Sequence, residues 1–391
     1  MVILKSKGVA MFELGGNSIV EQFGELEDPR EDRGKRHELI DIIVIAICAV
    51  ICGADSWVEV ELFGKARQEW LKRFLALPHG IPSHDTFGEV FARIDPAQFE
   101  GCFVRWVQRI SQLTAGQVIA IDGKTVRRSH DKLLGKAAIE MVSAWASANH
   151  LVLGQVKVDE GSNEITAIPE LLQLLEVRGC IVTIDAIGCQ TGIAQAILDQ
   201  GGDYILAVKA NQGQLFDDVQ SLFALEFAER KPFHWVEHDY QRTIDKDHGR
   251  LETRECWVVT DPQYLAYIRQ YKEWAGLQSV ILVRGKRRIG DQISQQDRYY
   301  ISSLRSKASV CLEAVRSHWG IENRVHWVLD LAFREDESRV RKDHGPQNLA
   351  MLRRMALNLL KQERTARAGT HAKRLRAAWD QAYLLKLLSE S

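Results

Sequence analysis

Proline is scarce in this chain, eight residues in 391, and its seven cysteines never form a CxxC pair. An odd, scattered set of thiols argues against a disulfide framework or a zinc ribbon and fits a reducing compartment. Cys48 and Cys52 share one face of an apolar helical stretch, where buried free thiols are expected. Charge of one sign is also lacking: the net charge of −1 predicts by itself no polyanionic partner. Long apolar runs are absent. The longest, "IIVIAICAVIC" at 42–52, falls well short of the roughly 20 residues that span a bilayer. No basic-then-apolar leader opens the chain, so a cytoplasmic location and no membrane partner are expected. Residues 1–20, beginning "MVILKSKGVA", read as a poorly ordered lead-in. No internal repeat and no low-complexity tract stand out.

What is present is a globular composition, 46% hydrophobic and 26% charged, over a length that suits two or three domains. Residues 21–115 read as a helical domain, with "HELIDIIVIAICAVICGA" as a buried helix and "SWVEVELFGKARQEWLKRFL" apolar at three-and-four spacing. Ser83 or Asp85 caps a later helix, and Asp95–Pro96 starts another. From 117 the pattern turns to strands: "QVIAIDG", "AIEMVSAWAS" and "LVLGQVKVD" predict an antiparallel meander. The helix "NEITAIPELLQLLEVRG", the strand "CIVTIDAIG", the helix "TGIAQAILDQGG" and the strand "DYILAVKAN" follow. The order βββαβαβ predicts an RNase H-like mixed α/β sheet with its first and fourth strands side by side and parallel. Residues 116–391 form this second domain, with a β-rich insertion at about 228–304 that lacks clear helices. Helix returns in "SVCLEAVRSHWGIENRVHWVLDLAFRED", and a basic helical C-terminus occupies about 338–391. Between Ser338 and Arg376 that block carries eleven Lys/Arg, Arg339 and Arg341 among them, against two acids; it reads either as a nucleic-acid footprint or as a solvated helix face.

Asp122 in "VIAIDGKTVRRS" ends the first strand, and Asp185 in "VTIDAIGCQ" ends the fourth. Singly, Asp122–Gly123 is a common turn dipeptide and Asp185 a possible helix cap. Together, at matching ends of parallel neighbours, they predict two carboxylates at the sheet edge where ligands bind, a pairing that a divalent cation resolves. Two such ions would activate a water and stabilise the leaving oxygen of a phosphodiester. A third acid is expected nearby: Glu322, with Asp330 and Asp336 as rivals. His318, Glu322 and His326 follow at i, i+4 and i+8, which also permits a His-Glu-His transition-metal set. Three ligands on one straight helix span about 12 Å, too far to grip one ion, so the histidines are expected to orient Glu322 or touch phosphate. Trp319 and Trp327 are expected in the core.

"AIDGKTVRRS", "SNEITAIPELL", "TIDAIGCQ", "GGDYILAVKANQG", "HGRLETRE", "RYYISSL" and "SHWGIENRVHWVLDLAFREDESRVR" closely resemble the ISAs-type insertion-sequence transposases, the H-repeat-associated proteins. The similarity runs from about residue 20 to 385, and "GADSWVEVELFG" with "GIPSHDTFGEVFARI" resembles their transposase-associated domain. The resemblance implies a DDE transposase that cuts insertion-sequence ends and transfers strands into target DNA. It implies catalytic, metal-binding acids Asp122, Asp185 and Glu322 with two Mg²⁺ ions, for which Mn²⁺ substitutes. The spacing of 137 positions from Asp185 to Glu322 accommodates the insertion. Related DDE transposases carry Tyr, Arg and Lys around the Glu, where this chain has Val315, His318 and Leu329; Arg316, Arg324 and His318 are the nearby DNA-contacting candidates. Lys124, Arg127, Lys209, His248, Gly249, Arg250, His326, Arg339 and Arg341 complete the expected DNA surface. Transposases of this kind work as homodimers or higher multimers on DNA, in the bacterial cytoplasm at the nucleoid. A nuclease of the same fold without strand transfer, and an inactive DNA-binding remnant, are the competing readings.

Overall fold

The computed structural model describes residues 19–389 except 33–34, 112, 131–134, 230–232 and 248. The expected lead-in therefore lies almost wholly outside the described residues, as does His248.

Five helices come first: α1 (Ile19–Phe23), α2 (Leu39–Ile51), α3 (Trp57–Leu71), α4 (His84–Arg93) and α5 (Pro96–Ile110). Their starts follow local chemistry. Ser56 and Glu59 close a capping box on α3, and the Ser83 side chain accepts the Thr86 N–H at the head of α4. Asp95 caps α5, with Pro96 in its first turn. The thiols are free, and Cys48 is buried on α2 as its spacing suggested.

The sheet region runs β1 (Val118–Thr125), β2 (Glu140–Ala146), β3 (Leu151–Lys157), α6 (Glu164–Leu174), β4 (Ile181–Ile184), α7 (Thr191–Asp199), β5 (Asp203–Val208) and α8 (Gly213–Ala228). It continues with β6 (His238–Asp247), β7 (Arg250–Val259), the one-turn α9 (Pro262–Leu265), β8 (Ser279–Ile289) and β9 (Gln292–Ser302). The chain closes with α10 (Ala308–Ile321), a π turn (Glu322–His326), α11 (Trp327–Phe333), α12 (Gly345–Gln362), α13 (Thr370–Trp379) and α14 (Gln381–Ser389).

The nine strands among the described residues join one sheet in the order β3-β2-β1-β4-β5-β9-β8-β7-β6. β1 pairs parallel with β4 and β4 with β5, while β1-β2-β3 is an antiparallel meander, the RNase H-like arrangement that the strand order implied. The insertion consists chiefly of strands. It has four strands, since the polar run "HDYQRTIDKD" forms β6, and it extends the same sheet through β9 against β5. The amphipathic α8, which precedes it, had not been read from the sequence.

Side-chain alternation sorts the two faces. Ile181, Ile205, Val258, Ile281 and Tyr300 meet α10 through Ala308, Cys311, Leu312 and Val315 on one face. On the other, α6 packs against β2 and β3, and α7 against β5. The buried α12 lies among α2, α4, α5 and β3, so the N-terminal helices share a hydrophobic core with the sheet.

Candidate functional site

Register decides where the two aspartates meet. Ile121 pairs with Ile184 at the carboxyl end of the parallel β1–β4 ladder, so Asp122 and Asp185 are the next residues on neighbouring strands. Both lie on the α10 face, in phase with Thr183 and Ile181. Asp185 caps no helix: its Oδ1 accepts the Ile187 N–H at 3.0 Å, and the N-cap of α7 is Gln190.

The Asp-Gly turn expected at 122–123 does not form. β1 continues through Gly123, which pairs with Val142, to Thr125. Glycine leaves room there for another reason: a Cβ at Gly123 would lie 2.0 Å from Glu164 Oε1, so that side chain would have to move aside. Glu164, the first residue of α6, is thus an acid packed behind β1, and sequence reasoning missed it although its motif stood out. Burial, the field of Asp185 and a hydrogen bond with Glu140 all push its carboxyl well above the usual range.

Glu322 arrives over this edge from α10. The helix there is not a straight α-helix: the Trp327 N–H reaches the Glu322 carbonyl, five residues back, in a π turn. As a result His326 is turned inward, buried, with Nδ1 3.0 Å from Glu322 Oε2 and 3.6 Å from Asp122 Oδ2. Donor atoms of Asp122, Glu322 and His326 all lie within 4.8 Å of one another. His318 takes another course, its Nδ1 3.1 Å from Thr183 Oγ1, and burial lowers its basicity. Burial, opposed by the His326 ring and reinforced by Asp185 and Glu322, raises the Asp122 carboxyl to about 6. The His326 hydrogen bond holds Glu322 below its ordinary value.

Among the described residues no lysine or arginine pairs with any of these three acids. Lys124 is buried instead among Asp330 (2.8 Å), Asp336 (3.0 Å) and Glu335 (3.5 Å). This engagement occupies both rivals for the third acid. It also corrects the expectation that Lys124 faces DNA, and buried His326 is likewise withdrawn from any DNA surface. Glu335 in turn pairs with Arg354 at 2.9 Å, both side chains fully buried. In the basic C-terminal block, Arg353, Arg354, Lys373 and Arg374 are buried, so part of that charge is structural.

The other expected cations are more open. Lys209 follows β5 and is exposed on a groove of about 450 Å³ lined also by Asp122, Asp185, Glu322, Arg298 and Trp319. Arg127 is exposed and pairs with Asp336 at 3.2 Å; Arg250 is half-exposed and pairs with Glu252 at 3.2 Å. Arg324 donates to His150 at 3.0 Å, and Arg316 reaches Asp245 on β6 at 3.2 Å. Arg339 and Arg341 are exposed. The two tryptophans overturn the core expectation: Trp319 is 45% and Trp327 61% exposed, and the Arg298 guanidinium lies 4.5 Å over the Trp319 ring. The exposed Lys286, Arg287 and Arg288 at the far end of β8 form a basic tip that was not singled out from the sequence.

An RNase H-like sheet with two aspartates at the carboxyl end of its parallel β1–β4 ladder and a helix-borne glutamate defines the class of DDE polynucleotidyl transferases. Comparison with known proteins agrees. Residues 114–359 match the family model described as "Transposase DDE domain", and residues 20–107 match "DDE_Tnp_1-associated". The chain is 39% identical over 377 residues to the "H repeat-associated putative transposase YhhI" of Escherichia coli (strain K12), covering 95% of this chain and 98% of that one. It is 40% identical over 377 residues to the "Putative transposase YncI" of Escherichia coli O157:H7, covering 95% and 94%. A piggyBac transposase synaptic complex with hairpin DNA aligns over 96% of this chain and 77% of its own, at 11% identity and a TM-score of 0.42. The chain belongs to the DDE transposase family, alongside the H-repeat-associated transposases. No described helix is long and apolar enough to cross a membrane.

Proposed function

We propose that this DNA transposase cleaves the ends of an insertion sequence and joins them to target DNA at a divalent-metal centre held by Asp122, Asp185 and Glu322. The observation that carries the reading is that Asp122 and Asp185 come next after the last pair of one parallel ladder, with Glu322 beside Asp122 and, among the described residues, no lysine or arginine ion-paired to any of the three. Carboxylates suit Mg²⁺, and an acid raised to about 6 by burial and like charge is one whose ionisation a bound cation would favour. When bound, Mg²⁺ or Mn²⁺ ions supply an activated water and charge for the leaving oxygen of a phosphodiester.

The chain's own residues do the rest. The parallel ladder sets Asp122 and Asp185 side by side, and α10 carries Glu322 to this edge at its C-terminal end. Lys209, Arg127, Arg250, Arg324, Arg339 and Arg341 form the surface for the DNA backbone, where phosphate contacts govern affinity and register. Paired transposon ends would be held by a homodimer or higher multimer, acting at the nucleoid in the cytoplasm. The helical residues 21–115 and the basic C-terminus would supply end recognition.

The test uses the full chain with duplexes spanning the two junctions that border its gene. Mg²⁺-dependent nicking at the element ends and joined products with a target plasmid are expected. Asp185→Asn should abolish both while retaining DNA binding. Cleavage by Asp185→Asn at the wild-type rate would overturn the assignment, and cutting without any joined product would select a nuclease.

A further inference from the structure

Resting on the metal-centre reading above, we infer that His326 is itself a metal ligand through Nδ1, making the Asp122–Glu322 side of the centre a mixed nitrogen–oxygen site. Spacing along a straight helix argued against a histidine gripping the same ion as Glu322. The π turn changes that geometry. It inserts one extra residue into the turn between Glu322 and His326, and such turns cluster at functional sites.

The distances fit a shared ion. An octahedral divalent ion at about 2.1 Å from its ligands sets neighbouring ligand atoms about 3.0 Å apart. Nδ1 stands 3.0 Å from Glu322 Oε2 and 3.6 Å from Asp122 Oδ2. The ring is 4% exposed, and among the described residues its Nε2 meets no partner, while its Nδ1 faces the two carboxylates. His318, the other histidine of the stripe, is committed to Thr183. Packing around Val325 and Leu329, both buried, fixes the backbone on either side of the ring.

A nitrogen ligand has a chemical consequence. Mg²⁺ strongly prefers oxygen, whereas imidazole suits first-row transition ions. The centre should therefore favour Mn²⁺ over Mg²⁺ beyond what a carboxylate-only site would do.

The experiment loads the full-length protein with Mn²⁺ and records electron spin-echo modulation, together with calorimetric affinities for Mn²⁺ and Mg²⁺. Histidine nitrogen coupling is expected in the wild type, changing from the ¹⁴N to the ¹⁵N pattern in protein grown on ¹⁵N-histidine. His318→Asn should keep the coupling. His326→Asn should lose it and lower the Mn²⁺-to-Mg²⁺ affinity ratio by about tenfold. Wild-type protein that binds Mn²⁺ in an Asp122-dependent manner with no nitrogen coupling would overturn the inference alone and leave His326 a positioning residue for Glu322. Coupling that survives in His326→Asn, or an unchanged affinity ratio, would overturn it as well. If His326→Asn does not fold, the labelled wild type read together with His318→Asn still decides whether the stripe's other histidine accounts for the coupling. Mn²⁺ binding indifferent to Asp122→Asn would instead sink the metal-centre reading itself.

Discussion

Asp122→Asn should make the metal-free protein more stable at neutral pH, although it removes the first acid of the site. Burial raises the Asp122 carboxyl from 3.8 to about 6, the His326 ring opposes this, and the charges of Asp185 and Glu322 add to it. A rise of about two units corresponds to about 3 kcal/mol at about 1.4 kcal/mol per unit. The sign follows from where the proton is held. With the folded value above the unfolded one, the associated stability is fully present below about pH 4 and is lost as pH climbs through about 6. Asparagine keeps an acceptor for the backbone N–H but carries no charge, so it escapes that loss. The difference between variant and wild type should be near zero at about pH 4 and approach about 3 kcal/mol at pH 7 and above. Urea unfolding in EDTA at several pH values measures it, since other titrating groups cancel between the two proteins. Added Mg²⁺ should then stabilise the wild type but not the variant. A variant no more stable at pH 7.5, or an advantage that does not change with pH, would refute the picture of a desolvated Asp122 beside like charges, awaiting a cation.

Gly123→Ala should impair cleavage and cost about 1–3 kcal/mol, because its methyl collides with Glu164; adding Glu164→Ala should recover much of the stability, and a strictly additive double mutant would rule the collision out. Lys124→Met should lower stability by about 3–5 kcal/mol, since it strands buried Glu335 and its neighbours, and should leave the salt dependence of DNA binding unchanged. A reduced salt slope with intact stability would return Lys124 to the DNA surface. Replacing exposed Lys286, Arg287 and Arg288 by alanine should lower the slope of log affinity against log salt by up to about three. An unchanged slope in fluorescence anisotropy would mean that the insertion's tip stands clear of DNA.

Several features of this transposase were determined by the sequence alone. The alternating runs and the short polar connections between them specify β1-β2-β3 as a meander, and the amphipathic α6 and α7 make the crossovers, because a parallel strand pair needs one. With that order, Asp122 and Asp185 had to finish side by side. Capping residues likewise marked the heads of α4 and α5. Local chemistry carried these decisions, and local chemistry is what a sequence displays.

The rest depended on groups far away along the chain. Asp122–Gly123 resembles a turn because its immediate neighbours permit one, but the glycine serves Glu164 on a helix behind the strand. Lys124 resembles a surface cation because nothing nearby in sequence shows its partner Asp336, 212 residues on. Arg354 is hidden for the same reason, its charge answered by Glu335 in the interior. The stripe His318, Glu322 and His326 has the spacing of an ordinary helix, and only the fold shows that α10 packed on the sheet brings His318 to Thr183 while the π turn after it brings His326 to the carboxylates. Burial and partner choice are settled by the whole fold, since a charge is tolerated in the interior only where tertiary contacts supply its counter-charge.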